Sequence, residues 1–537
     1  MFYEKHPVLF VLGVMVFLIF VAKGETMLMK PLDLAVVMAL LAGVLAMFTD
    51  MSPKSVAAVT LAVGFVCGAS GMFISNYNPM LTIGGGALIA GAAVYAAVTR
   101  KADHRMIITL IMTAGFWLMF CYAQYTDVTL RQNDVGHFVE GIFDPHHAGY
   151  ISYIRHFGWI PHADVREMDQ WYHPPLHHLI CAYFMRGYGL IRPSLTDNYE
   201  VLQLLTTLYS FLAMFFTYKI IDMFDLEDRT KELMALFLAA FPIFIINAGE
   251  LNNDILSVMF FVLSIYFIFR WFHEDLKMIY LVGSAIAIGL GMMTKLSVWM
   301  AAIPVGTVLL VPLIRTKGKS LKLWGQYGIF ALISFPLGLW FPLRNLIGWG
   351  VPPTYIPVPF YDESLEKYSV WLRLFDVFDN SGYYNIPYFA VWSAVFDDDD
   401  YRGHMFYGLL SFAVFVLFAI LVILAFAGIV YMTRRMFSKR RFLVEVIALD
   451  LMVVTELISY TIFCFRFPYI CTMNFRYIVP VTITFVLGAG YLYERLKSSG
   501  KSKLPAAIVR VLFVGFAALS AVFYLSLWGY DLWYNSL

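Results

Sequence analysis

The sequence predicts an all-α protein that crosses a membrane many times, and three observations carry that reading. Its 537 residues are 60% hydrophobic and only 14% charged, whereas a soluble domain averages about 25% charged residues. Apolar stretches close to the roughly twenty residues needed to cross a bilayer recur along the chain. Between them, basic residues gather in four short clusters. The net charge of +1 gives no reason to expect a nucleic-acid partner. Five scattered cysteines, Cys67, Cys121, Cys181, Cys464 and Cys471, form no spaced pairs, so neither a disulfide scaffold nor a thiolate metal site is expected.

Taken in order, the expected spans number about fifteen. They are 8–22, 31–49, 55–75, 80–99, 106–124, 199–220, 233–250, 255–272, 278–293, 296–314, 323–343, 404–432, 442–465, 475–493 and 505–528. The first looks at a glance like a secretory leader. It has no evident small-residue cleavage site and more spans follow at once, so it reads as a retained helix. The stretch 176–191 is ambiguous: Pro174 and Pro175 precede it and Arg186 lies within it. Charge settles the case. The clusters RKADHR (100–105), RTKGKSLK (315–322), RRMFSKRR (434–441) and ERLKSSGKSK (494–503) all belong inside by the positive-inside rule. An even number of crossings must then separate 105 from 315, and counting 176–191 would make it odd. That stretch is therefore expected as a helix lying at the outer interface. Residues 125–198 become one external segment, and residues 344–403 and 466–474 are external too.

The external segment 125–198 concentrates chemistry. It holds eight of the twelve histidines, His137, His146, His147, His156, His162, His173, His177 and His178. It also holds Asp134, Glu140, Asp144, Asp164, Glu167 and Asp169. Ionisable groups at a membrane edge are functional candidates. If RQNDVGHF is helical, Asp134 and His137 share a face, where the carboxylate could take a proton from an acceptor. A cap or a solvated loop acid is the plainer reading. In WYHPPLHHLI (171–180) the paired prolines set a rigid helix entry. His173, His177 and His178 there suit phosphate, carboxylate or metal contacts, or simple interfacial anchoring. NAGELNNDILS (247–257) brings Glu250, Asn252, Asn253 and Asp254 to the same side. GLGMMTKLS (289–297) brings Lys295, a point charge for phosphate or a snorkelling side chain.

The external stretch 344–403 is too aromatic for disorder and reads as a lid or sugar platform. Its DDDD run (397–400) reads as a divalent-ion site or, more plainly, a solvated end. MNFRYIVP (473–480) sets Arg476 at an expected outer helix start, as a phosphate clamp or a snorkelling side chain.

The order of these motifs resembles the GT-C-fold, polyprenyl-phosphate-sugar-dependent glycosyltransferases of the protein O-mannosyltransferase and aminoarabinose transferase type. QNDVGH, YHPPLHH, ELNNDIL and GLGMMTK carry the match, which covers roughly 106–345 well. The resemblance implies inverting sugar transfer from a polyprenyl-phosphate donor to a glycan, lipid or protein acceptor. Asp134 would be base or acceptor orienter, and Asp254 a second catalytic carboxylate. Lys295, His173, Arg476, His137 and Asn253 would bind substrate or phosphate. A divalent metal is left open, with Asp134, His137 and Asp254 as its candidate ligands. The module would span 101–345 with its catalytic loop at 125–198. Around it lie a four-helix extension (1–100), an aromatic external loop (346–403) and C-terminal membrane helices (404–537). Location in the inner membrane follows, with the site on the extracytoplasmic face.

Many protein mannosyltransferases carry an Asp-Glu pair in the first loop, but here Val135 follows Asp134, which weakens a protein-hydroxyl acceptor. The competing readings are a transporter or flippase of a lipid-linked or anionic solute, for which no internal repeat is found, and a phosphotransferase, for which no soluble catalytic domain is found.

Overall fold

The structure, a computed structural model, describes Gly86, Gly91 and residues 103–128, 131, 133–136, 138, 146–168, 170–191, 199–358, 364–377, 382–396, 401–498 and 503–534. The first four expected spans (apart from those two glycines), His137 and the acid run 397–400 lie outside the described residues.

Among the described residues every regular element is helical. In chain order the α-helices are α1 (His104–Tyr125), α2 (His147–Phe157), α3 (Leu176–Ile191), α4 (Gln203–Asp222), α5 (Asp228–Ala239), α6 (Pro242–Gly249), α7 (Asp254–His273) and α8 (Met278–Met292). There follow α9 (Ala302–Arg315), α10 (Leu321–Trp349), α11 (Val370–Leu374), α12 (Ile386–Ser393), α13 (Met405–Lys439), α14 (Leu443–Arg466), α15 (Thr482–Ser498) and α16 (Leu504–Tyr534). Nine helical stretches among the described residues are long and apolar enough to cross a membrane. Helix α8, with 15 residues, and α15, with 17, coincide with the other two expected spans but are shorter. The chain is a multi-pass integral membrane protein of the all-α class.

Polar side chains on α16 and α4 explain how a central break is tolerated. Pro242 has no N–H, so the span 228–249 cannot run as one regular helix. Helix α5 ends at Ala239, and α6 restarts with Pro242 in its first turn. In lipid each freed backbone group needs a partner from within the protein. Ser520 Oγ donates to the Ala240 carbonyl at 2.6 Å. Gln203, Thr206 and Ser210 lie three to four residues apart on α4 and so share a face. Thr206 Oγ1 donates to Ala248 O at 2.8 Å and Ser210 Oγ to Phe244 O at 2.5 Å. The Gln203 amide donates to Thr126 O and to Gly249 O, both at 3.0 Å. This one side chain ties the end of α1 to the end of α6, from which the two acidic loops depart.

Helices α13 and α15 cross where each carries a glycine. A Cβ on Gly428 would lie 2.3 Å from the Gly488 carbonyl oxygen, so no side chain fits there. Helix α3, with 16 residues, packs against α2 and is not among the helices long and apolar enough to cross a membrane. Its histidines differ from the expectation. His177 and His178 are fully buried, facing protein rather than anchoring the helix at an interface.

Candidate active site

The charged loops converge at one end of the bundle, opposite the end carrying 315–322, 434–441 and 494–498. After α1 the chain turns irregularly. Asp134 has φ of 60° and Gly136 φ of 70°, in the left-handed region, so the segment is not helical as entertained from sequence. A Cβ on Gly136 would meet the His146 side chain at 2.5 Å, which requires glycine there. Backbone bonds from His147 N to Asp134 O (3.4 Å) and from Ala148 N to Val135 O (2.8 Å) dock this turn on the start of α2.

Arg476 also departs from expectation. It does not start a helix. Residues Cys471–Val481 form three short 3-10 turns, and α15 begins only at Thr482. Asn474 caps the turn by accepting from Arg476 N at 2.9 Å, and Pro480 offers no N–H to a helix begun earlier. Irregular backbone at membrane depth is tolerated where protein buries it or it lines a cavity.

This turn aims Arg476 at two carboxylates. Its Nη2 donates to Asp134 Oδ2 at 2.6 Å, and its Nη1 lies 3.5 Å from Asp254 Oδ2. Asp254, at the start of α7, also pairs with Lys295. The Lys295 ammonium sits 4.9 Å from the Tyr477 ring centre, and the Tyr477 hydroxyl accepts from Arg476 at 3.0 Å. The Arg476 and Asp254 side chains are 3% and 5% exposed, while Asp134 keeps 38% of its surface accessible. Asp134 is thus the most accessible carboxylate of the cluster. Burial alone would push its carboxyl up, but the charge and hydrogen bond of Arg476 outweigh it and hold Asp134 below the usual carboxylate range. Asn253 places its amide on Thr294 O at 2.9 Å. It braces the Asp254 hairpin against the Lys295 turn and is not aimed at a ligand. Glu250 accepts from Asn133 at 2.5 Å and Asn252 at 3.0 Å. Burial pushes it up to about 7.

Beneath the same loops lies a stack of imidazoles. The His147 ring stacks on His173 and His178, with centroids 5.4 and 5.1 Å apart. His147 Nδ1 and His178 Nε2 lie 2.8 Å apart, so one donates and the other accepts. His177 Nε2 lies 3.2 Å from Leu251 O, which joins α3 to the Asp254 hairpin, and Leu176 N donates to Met293 O at 3.0 Å. Burial first, then the charges of Lys295 and Arg476, hold His173 well below the usual imidazole range. It stands neutral at neutral pH and offers a hydrogen bond rather than the charge that the sequence reading allowed for a phosphate.

Residues 172–340 match the family model described as dolichyl-phosphate-mannose-protein mannosyltransferase. The resemblance drawn from motif order is borne out over this stretch, which contains His173, Asp254 and Lys295. No curated protein sequence matches the chain. Among solved structures the chain is similar to ArnT from Cupriavidus metallidurans in the apo state, at 14% identity and a TM-score of 0.45, over 78% of this chain and 74% of that one. The same enzyme bound to undecaprenyl phosphate is similar at 14% identity and 0.44, over 78% and 75%. The Archaeoglobus fulgidus oligosaccharyltransferase, in complex with Zn and sulfate, is similar at 14% and 0.41, over 78% and 52%.

Sequence reasoning brought Asp134, Asp254, Lys295 and Arg476 forward, and the structure gathers all four. It missed Tyr477, which follows Arg476 in the same turn, and Glu456. The latter was legible as one of three carboxyls, with Glu445 and Asp450, inside the apolar span 442–465. Among the described residues no three His, Cys, Asp or Glu side chains gather as a metal site. Asp134 and Asp254 already hold the Arg476 guanidinium between them, so as placed they do not fit a shared divalent ion.

Proposed function

We propose that the protein is a membrane glycosyltransferase that moves a sugar from a polyprenyl-phosphate donor to an acceptor, with inversion, on the extracytoplasmic face of the inner membrane. The observation that carries this reading is the convergence of Lys295 and Arg476 on Asp254, with the reachable Asp134 alongside. The half-buried Lys295 and the buried Arg476 can exchange partners when a lipid phosphate arrives, because phosphate oxygens replace Asp254 as their acceptors. The family match over 172–340 supports the reading, and so does the gathering of basic clusters at the opposite end.

A cavity of about 360 Å3 opens beside the same turn, lined by Phe475 and Ile478 with Phe418, Phe426, Leu457 and Phe485. Its apolar walls suit the isoprenoid tail. With the phosphate held, the acceptor oxygen attacks the anomeric carbon from the opposite face, and the bond to phosphate oxygen breaks with its electron pair on the phosphate. Asp134 takes the acceptor's proton. The leaving group is already a fair anion, so position and charge neutralisation supply most of the acceleration. The residues Asp134 and Asp254 carry this scheme with no step through a metal.

The test is transfer by the purified full-length protein. A panel of radiolabelled polyprenyl-phosphate sugars is offered with a membrane extract as acceptor, for wild type and Asp134→Asn. Release of free lipid phosphate that depends on Asp134 is expected. Donors that bind yet stay intact would overturn the transferase reading in favour of a transporter or flippase.

A further inference from the structure

Glu456 is a buried carboxyl that the scheme above does not use. It sits on α14 and is 1% exposed, and neither of its oxygens has a hydrogen-bond partner among the described residues. Buried polar groups are nearly always paired, and an exception calls for an explanation. Glu456 lines a small cavity shared with Asp254, Ser257, Lys295, Ser297 and Arg476. It stands ten residues before the end of α14 at Arg466, about 15 Å along the helix. The in-folded turns of 471–481 bring Arg476 to the same cavity.

We infer that Glu456 is a specificity-determining residue that receives one hydroxyl group of the donor sugar. This rests on the transferase reading. The cavity has room of about 20 Å3, enough for one water-sized group and far too small for a ring. Charge narrows the occupant further. A further cation would be repelled by Lys295 and Arg476, and the lipid phosphate, too large for this space, already supplies the anion beside them. A neutral O–H fits both constraints, because it can donate to a carboxyl oxygen and accept from a cation or from the Ser297 hydroxyl. Lys295 and Arg476 hold the phosphate in the scheme above. A sugar joined to that phosphate through its anomeric oxygen carries hydroxyls within a ring's width of the cavity mouth. A site built to bond a hydroxyl discriminates strongly against ligands that lack it.

The experiment compares affinities on the full-length protein in lipid nanodiscs. The probes are undecaprenyl phosphate bare and undecaprenyl phosphate carrying each of a panel of hexoses and pentoses. The wild type should bind at least one sugar-bearing probe more tightly than the bare lipid. Glu456→Met, similar in length and apolar, should keep the fold and bind the bare lipid as the wild type does. Its affinity for the preferred sugar-bearing probe should fall about ten- to a hundred-fold, the cost of leaving a buried hydroxyl without its partner. Glu456→Gln, which keeps one acceptor oxygen, should recover part of that loss.

The inference is overturned if no sugar-bearing probe binds better than the bare lipid in wild type. It is also overturned if Glu456→Met leaves the preference intact, or weakens bare and sugar-bearing lipids alike. Release of lipid phosphate from the same nanodiscs, once a membrane extract is added as acceptor, judges the transferase reading separately. A wild type that discriminates by Glu456 but releases nothing would sink that reading while keeping this binding site.

Discussion

The four charges and the four histidines lie beneath the same loops, yet they meet burial in opposite ways. Asp134, Asp254, Lys295 and Arg476 balance two negative charges against two positive ones, and Asp134 remains reachable. His147, His173 and His178 stay neutral, stacked and closed, with His177 edge-on to His178 and equally buried. A balanced set of charges can re-pair with an incoming anion, whereas a neutral stack can only support what rests on it. The difference separates a responsive region from a bearing surface, although both are rich in groups that sequence analysis marks as functional.

The sharpest way to test the contrast is to disable each region without emptying it. Asp134→Asn keeps the shape but removes the proton acceptor, and transfer should fall about 10²–10⁴-fold, read as released lipid phosphate at equal protein. An unchanged rate would place the base elsewhere. Arg476→Met strands Asp254 and Asp134 beside a single cation. Unfolding in detergent should then come about 3–5 kcal/mol sooner, and a bound polyprenyl phosphate should no longer protect the protein against heat.

Two smaller effects differ in sign with pH. Glu250 holds its proton up to about 7 in the fold, against about 4.3 in an unfolded chain. The unfolded chain therefore releases a proton first, and stability falls as pH rises from about 4.3 to about 7. Glu250→Gln should remove that slope and gain about 3 kcal/mol above pH 7, measured by thermal unfolding across pH. The histidines act in the opposite direction. Burial holds His177 down to about 4, below an unfolded value near 6.5. The unfolded chain takes up protons first, so stability is lost as pH falls from about 6.5 toward 4. His178→Phe keeps the stack but leaves the His147 nitrogen without its partner. A loss of about 1–3 kcal/mol with a shallower acid slope is expected, and the affinity for lipid phosphate should hardly move. If that affinity collapses instead, the two regions are not separable.

Much of this arrangement was legible in the chain. Span length and charge asymmetry placed the helices and kept α3 out of the count of crossings. An isolated Lys295 between apolar spans is costly without a negative partner, and Asp254 is that partner in the structure. What escaped was set by backbone shape and by pairs distant in sequence. Nothing local in RQNDVGH announces a left-handed Asp134. Apolar periodicity across 475–493 hid the 3-10 turns that carry Arg476 inward. The histidines could not be sorted from sequence, because a ring that bonds a ligand and a ring that stacks on another ring are the same residue type. Only their burial separates them.

The Gln203 amide has a mechanical meaning. Its two hydrogens grip the last carbonyl before the Asp134 loop and the last carbonyl before the Asp254 hairpin. The Asp134 loop and the Asp254 hairpin therefore hang from a common pin. The gap between the two carboxylates is gauged from outside the charged cluster, and a carboxylate at position 203, unable to donate to either carbonyl, would leave that gap without a ruler.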